Sequence, residues 1–398
     1  MRFWWLVAIV DVWLSVMKTR ILRIGRLCLF MGGVAWGALV TAQPLLTAPF
    51  VGVRAYYLLE VESDQPLATL NPDQRVEPAS LTKLMTAYLI FQALHNQQIH
   101  PDQRVTPSTH AWKMPGSRMF IDPGKPVTIN ELIHGLIIES GNDAGVALAE
   151  TLDGTEGHFV ERMNAMAKTL GMNNTHFANA TGLPDEQHYS TAHDLALLAR
   201  ALIHTYPDYY ALYGQKEYTY GGITQANRNR LLWMDPSVDG LKTGHTDSAG
   251  YCLISSAQRG QRRLLAVVLG ASSDLGRTTD SQTLLNWGFQ TFQSQRLFAK
   301  GQVVKTLPVY KGQKTMVSVG FSQDVWLTTP VGHENEAKKT LTTWQPILAP
   351  VNRQQKLGNL QVVYGGQVVT SADLVALEDI PVGNAFTRIW DSVRLMLK

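Results

Sequence analysis

Residues 54–62 alternate loosely between apolar and polar and stop at Ser63-Asp64-Gln65-Pro66, a turn signal, so Leu67–Leu70 reads as a partner strand. Leu81, Leu84, Met85, Tyr88 and Leu89 then recur at the spacing of an amphipathic helix, with Pro78 just ahead of it. Thr128-Ile129-Asn130-Glu131 is a capping box opening a second helix through Leu132, Leu136 and Ile137. This helix meets a break at Ser140-Gly141 and resumes from Val146 to Leu152. Thr191 caps a third helix running through Leu195 to Ile203. From Asp239 the pattern turns to strands, and Tyr251–Ser256 and Leu264–Gly270 flank Arg259-Gly260-Gln261 as a hairpin. Beyond residue 295 the apolar runs shorten to Val303–Val309, Thr315–Val319 and Val325–Thr329. Leu360–Tyr364 and Gln367–Thr370 enclose Gly365-Gly366, a strong hairpin turn. The pattern predicts an α+β body followed by a small all-β domain at 296–380.

Both ends differ from this body. Lys18, Arg20, Arg23 and Arg26 precede the apolar run Leu27–Val40, and Val40-Thr41-Ala42 offers small residues for cleavage. That order predicts a secretory signal peptide over 1–42, with Met17 as a possible true start because Met1–Val16 is an apolar stretch ahead of the basic region. The expected location is therefore outside the cytoplasm, as an exported protein. At the other end, 381–398 places Phe386, Ile389, Trp390, Val393 and Leu397 on one helical face, and Arg388, Asp391, Ser392, Arg394 and Lys398 on the other. Such a helix suits a membrane surface; the alternative is a last helix packed on its own domain.

Charge and cysteines narrow the function. The 398 residues carry a net charge of +3, but the first 42 hold five bases and one acid; the remaining 30 bases and 31 acids leave −1. A neutral body argues against nucleic acid as a partner. Cys28 and Cys252 are the two cysteines, so there is no disulfide scaffold or four-cysteine zinc site. With 1–42 removed, Cys252 stands alone and reads as a small buried apolar residue. No His/Cys/Asp/Glu cluster suggests a metal, and no cofactor is expected.

Three short motifs carry chemistry. In Ser80-Leu81-Thr82-Lys83, three residues at helical pitch put Ser80 and Lys83 about 60° apart on one face. A serine hydroxyl needs a base within hydrogen-bond reach, and a lysine serves if burial or a nearby cation makes it neutral. The motif alone is weak, since average composition gives on the order of one chance match in this length. In Ser140-Gly141-Asn142, a loop between helices can aim a hydroxyl to shuttle a proton and an amide to bind a substrate amide, although such turns are common. In Lys242-Thr243-Gly244, lysine and hydroxyl can hold a carboxylate, and the glycine lets a substrate lie close along the strand edge. The ordered set, with gaps of 60 and 102 residues, is far rarer than its members. With aspartate in the middle motif it marks class A β-lactamases and penicillin-binding proteins; here that position is Gly141.

From about Ala55 onward the chain resembles the low-molecular-mass penicillin-binding proteins that are D-alanyl-D-alanine carboxypeptidases. The likeness rests on Pro78–Thr86, Ser140-Gly141-Asn142-Asp143-Ala144, Asn227–Trp233, Asp239–Thr246 and Glu378-Asp379-Ile380-Pro381. Ser-Gly-Asn is a form this carboxypeptidase group uses. The resemblance implies a penicillin-recognising fold, with an antiparallel sheet flanked by helices in a catalytic domain at 43–295. It also implies a terminal amphipathic anchor that makes the protein peripheral on the periplasmic face of the inner membrane. The implied partners are peptidoglycan stem peptides and β-lactams. Ser80 would attack the carbonyl between two D-alanines, Lys83 take its proton, and the amides of Ser80 and His245 form the oxyanion hole. Ser140 would return a proton to the leaving D-alanine, and Lys242 and Thr243 hold the terminal carboxylate, with Arg277 near it. Asn142, Gly244 and His245 complete the expected substrate site, and Asp194 could be a site residue or an acid in a first helical turn. A β-lactamase remains open, with Asp185 and Glu186 the acids between Leu170 and Ser190, as do a D,D-endopeptidase and a non-catalytic cell-wall binder.

Overall fold

The computed structural model describes residues 46–397; the predicted signal peptide at 1–42, with Met17, lies outside the described residues. An antiparallel sheet is built from β1 (Ala55–Glu60), β2 (Gln65–Leu70), β3 (Val238–Thr246), β4 (Gly250–Arg259) and β5 (Arg262–Ala271), in the order β2-β1-β5-β4-β3. The run Leu264–Leu269 is apolar without a break because β5 is covered on both faces. Leu265, Val267 and Leu269 join one core, while Leu264, Ala266 and Val268 alternate into the other.

Helices supply both covers. The larger core packs α1 (Lys83–His95), α2 (Ile129–Ile137), α3 (Asn142–Asp153), α4 (Glu156–Thr169) and α5 (Ala192–Thr205). On the opposite face α6 (Asp274–Thr291) contributes Leu284 and Leu285. The capping box at α2 is formed as expected: Glu131 N–H donates to Thr128 Oγ1 at 3.2 Å, and Thr128 N–H donates to the Glu131 carboxylate at 2.8 Å. Thr191 caps α5 by accepting from Asp194 N–H at 3.1 Å. The sequence reading contains neither α4 nor α6. The buried side of α6 is made of Arg277, Thr278, Ser281, Leu284, Leu285 and Gly288, which is not an apolar stripe.

The C-terminal part is all-β as expected: β6 (Phe292–Phe298), β7 (Lys305–Tyr310), β8 (Met316–Phe321), β9 (Val325–Pro330), β10 (Lys338–Thr343), β11 (Ile347–Leu348), β12 (Lys356–Tyr364) and β13 (Gln367–Ala376). Six of these form a sheet ordered β10-β12-β13-β8-β7-β11, and β6 pairs with β9. Gly365 and Gly366 turn β12 into β13 with φ of +59° and +80°, values that glycine alone adopts freely. The tail helix α7 (Ala385–Met396) is present, but one side of it is not as expected. Asp391, read as part of a solvent-facing polar face, is buried: it accepts from the Lys311 backbone N–H at 2.6 Å. Phe386, Ile389, Trp390, Val393 and Leu397 point outward. The helix is tied down through a carboxylate and keeps its apolar face bare.

Candidate active site

Ser80 sits in a tight turn of 3₁₀ helix, Ala79–Thr82, that runs directly into α1. At three residues per turn, positions i and i+3 eclipse, and Lys83 Nζ lies 2.9 Å from Ser80 Oγ. Lys83 is 1% exposed. Its amine also reaches Asn142 Oδ1 at 2.6 Å and the Thr181 carbonyl at 2.8 Å. Burial, followed by the positive charge of Arg228, lowers its pKa to about 7, against a smaller upward pull from Asp143. In either protonation state the amine donates to Asn142 and Thr181; charged, it donates a third N–H to the Ser80 hydroxyl, and uncharged, it has a lone pair left there to accept the hydroxyl proton.

The second motif is held by its neighbours. Ser140, between α2 and α3, has φ of +60°, and its hydroxyl accepts from Lys242 Nζ at 2.9 Å. A Cβ on Gly141 would meet Asp143 Oδ1 at 2.8 Å and Met119 N at 3.1 Å, so an aspartate at the middle position has no room here. Asp143 is fully buried. It accepts from the backbone N–H groups of Met119, Phe120 and Ile121 at 2.9–3.3 Å, and so pins that loop beside Ser140. Asn142 gives its oxygen to Lys83 and its amide N–H to the Pro115 carbonyl at 2.6 Å. One amide hydrogen is thus engaged within the protein, and Asn142 also orients the Lys83 amine.

The third motif lies on β3, an edge strand of the sheet. Lys242 is 3% exposed and donates to Ser140 Oγ and to the Thr243 carbonyl. Burial first, then the charges of Lys83, Arg228 and Arg277, hold its pKa well below the ordinary lysine value. Gly244 lines the cavity and also has a structural part. A Cβ there would meet the Pro78 carbonyl at 3.0 Å and Ala79 Cβ at 3.2 Å, so the glycine lets the serine-bearing turn pack against the strand. His245 is exposed, with its ring 4.0 Å from that of Tyr251.

These pieces surround one cavity of about 680 Å³. Its lining includes Ser80, Ser140, Thr243, Gly244, His245 and Arg277, with the amines of Lys83 and Lys242 reaching Ser80 and Ser140 from beneath. Arg277 is buried against the carbonyls of Gly244 and Cys252 at 3.0 and 3.2 Å. Cys252 is free and buried. Asp194 lies elsewhere: it accepts from Asn174 N–H and the Thr175 hydroxyl at 2.8 and 2.7 Å, a structural tie. Asp185 and Glu186 line a different cavity with Asn164 and His176.

Some contributors were not read from the sequence. Thr181 serves Lys83 through its carbonyl, which any residue type would offer. The turn that delivers it is organised by Asn179 Oδ1, which accepts from Thr181, Gly182 and Leu183 N–H at 2.7–3.2 Å. Gly182 has φ of +85°, and a Cβ on it would fall 1.8 Å from the Ala79 carbonyl. Asn179-x-x-Gly182 is a turn pattern that could have flagged the segment. Arg228 lines the cavity and acts on both lysines by charge.

Residues 43–273 match the D-alanyl-D-alanine carboxypeptidase family of S11 peptidases. The chain belongs to that family. Residues 292–382 match the C-terminal domain of penicillin-binding protein 5. The D-alanyl-D-alanine carboxypeptidase DacA of Escherichia coli K12 is 39% identical over 356 residues, covering 87% of this chain and 88% of the relative. Penicillin-binding protein 5 of Haemophilus influenzae superposes with a TM-score of 0.79 at 38% identity, covering 84% of this chain and 99% of that one. Penicillin-binding protein D2 of Listeria monocytogenes, solved in its ampicillin-bound form, gives a TM-score of 0.57 at 33% identity over 61% of this chain and 99% of that one. The penicillin-recognising fold and the serine-hydrolase class that the resemblance implied are those of this family.

Proposed function

We propose that this D-alanyl-D-alanine carboxypeptidase uses Ser80 as its nucleophile on the terminal D-alanine of peptidoglycan stem peptides, and that β-lactams acylate the same hydroxyl. The observation that carries the assignment is the buried Lys83 amine held 2.9 Å from Ser80 Oγ. Ser80 gives its proton to Lys83 as its oxygen attacks the carbonyl between the two D-alanines. The oxyanion forms against the backbone N–H groups of Ser80 and His245, two residues lining the cavity. Ser140, held by Lys242, relays a proton to the leaving D-alanine nitrogen, and the C–N bond breaks. Thr243, Lys242 and Arg277 take the terminal carboxylate. Water then hydrolyses the acyl-enzyme and restores the Ser80 hydroxyl. A penicillin follows the first half of this path, but its leaving nitrogen stays attached to the acyl group. Asp185 and Glu186 line another cavity, which disfavours a class A β-lactamase. The test is to supply diacetyl-L-lysyl-D-alanyl-D-alanine and measure free D-alanine, then to map the penicillin adduct by mass spectrometry. Release of D-alanine with the adduct on Ser80 is expected; an adduct on another residue rejects the assignment.

We infer further that α7 is a membrane-surface anchor of an exported protein. Support comes from the five outward apolar side chains of a helix fixed by Asp391 and from the basic-then-apolar order of residues 18–40. Among the described residues no helix is long and apolar enough to cross a membrane, so attachment through α7 is by an amphipathic face. Deleting 381–398 from the mature protein is expected to move it from the membrane pellet to the supernatant with penicillin labelling unchanged. Continued pelleting rejects α7 as the anchor.

A further inference from the structure

Three arginines, Arg228, Arg230 and Arg277, line the Ser80 cavity, and the acid among the described lining residues is Asp274. Asp274 stands in the first turn of α6, 30% exposed, and is shared between two of these arginines. One carboxylate oxygen meets Arg230 Nε at 2.5 Å; the other accepts from Arg277 Nη2. The two partners differ. Arg230 is 60% exposed on the cavity rim. Arg277 is 7% exposed and is fixed independently of Asp274 by its Nη1 bonds to Gly244 and Cys252 and by the Tyr251 ring 5.5 Å from its guanidinium. Removing the Asp274 charge therefore leaves Arg277 in place through its Nη1 bonds and releases its Nη2, on a residue that lines the cavity, for an incoming anion.

We infer that Asp274 is a specificity-determining residue of the cavity. It is an internal carboxylate that holds the Arg230–Arg277 pair while the site is empty and sets, by repulsion and competition, how tightly the free carboxylate of a substrate is held. The inference rests on the proposed reading that Arg277 receives the substrate carboxylate. Two oxygens of one protein carboxylate already satisfy the guanidinium groups that a ligand carboxylate needs, and two like charges at one arginine repel. Arg230 moderates this effect by drawing the Asp274 charge toward solvent.

The test compares diacetyl-L-lysyl-D-alanyl-D-alanine with its C-terminal amide. Asp274→Asn is expected to lower KM for the carboxylate substrate by about three- to tenfold, with kcat and the KM of the amide little changed. Arg230→Gln is expected to raise KM for the carboxylate substrate and to have no such effect once Asp274→Asn is present, which shows that it acts through Asp274. A Asp274→Asn variant that raises KM for the carboxylate substrate, or shifts both substrates equally, overturns the inference. Wild-type protein with equal KM for the carboxylate and the amide would instead refute the underlying reading that a substrate carboxylate is held here, so the two failures are distinguishable. Penicillin labelling of each variant verifies that the site is folded.

Discussion

Replacing Ser80 by alanine is expected to reduce D-alanine release by about 10,000-fold or more and to abolish covalent penicillin labelling, because no acyl-enzyme can form without the hydroxyl oxygen. The variant should still fold. The described contact of Ser80 Oγ is the single bond to Lys83, whose loss costs on the order of 1 kcal/mol. Lys83 keeps Asn142 and Thr181 as partners. A stability close to wild type, measured by thermal unfolding, therefore separates lost chemistry from lost structure. Label that persists on Ser80→Ala protein would mean that another nucleophile carries the reaction.

Removing the base is the second large effect. Lys83→Met is expected to slow acylation by about 100- to 10,000-fold, the usual contribution of a positioned general base. In the wild type, acylation needs the uncharged amine. With its pKa lowered to about 7, kcat/KM should be low in acid, rise tenfold per pH unit, and level off above about pH 7. Arg228 is one cause of that lowering, so Arg228→Gln should move the acid limb upward, since removing a neighbouring cation makes the ammonium easier to keep. An acid limb that stays in place in both Lys83→Met and Arg228→Gln would assign the titration to another group.

Why the sequence yields some of this and not the rest has physical reasons. Ser80 and Lys83 are legible because proton transfer within one helical turn demands a fixed spacing. Ser140 and Lys242 carry no local signal that they meet, and their pairing at 2.9 Å comes from the fold; the motif order and the family resemblance brought them together beforehand. The roles of Thr181, Asn179 and Gly182 stay hidden because a carbonyl has no residue-type signature. Asn142 and Gly244 were legible as positions, but not the contacts they make within the protein: the Asn142 oxygen meets Lys83, and Gly244 makes room for the serine turn. Helix α6 escaped because it covers the sheet with Thr278, Ser281 and Gly288 as much as with Leu284 and Leu285. At α7, periodicity divides the helix into two faces without saying which one the domain will take. The Asp391 bond to Lys311 decides it.

The buried amine of Lys83 also ties the fold to proton activity. In the unfolded chain this group titrates near 10.5, in the folded one near 7. Between those values the unfolded ensemble carries more protons, so the free energy of unfolding gains from this site as alkalinity increases across that window. Below about pH 7 the full penalty of the desolvated Lys83 ammonium is borne, and Lys242, depressed in the same direction by burial, adds its own penalty wherever it becomes charged. The acidic conditions that silence the base also loosen the scaffold around it.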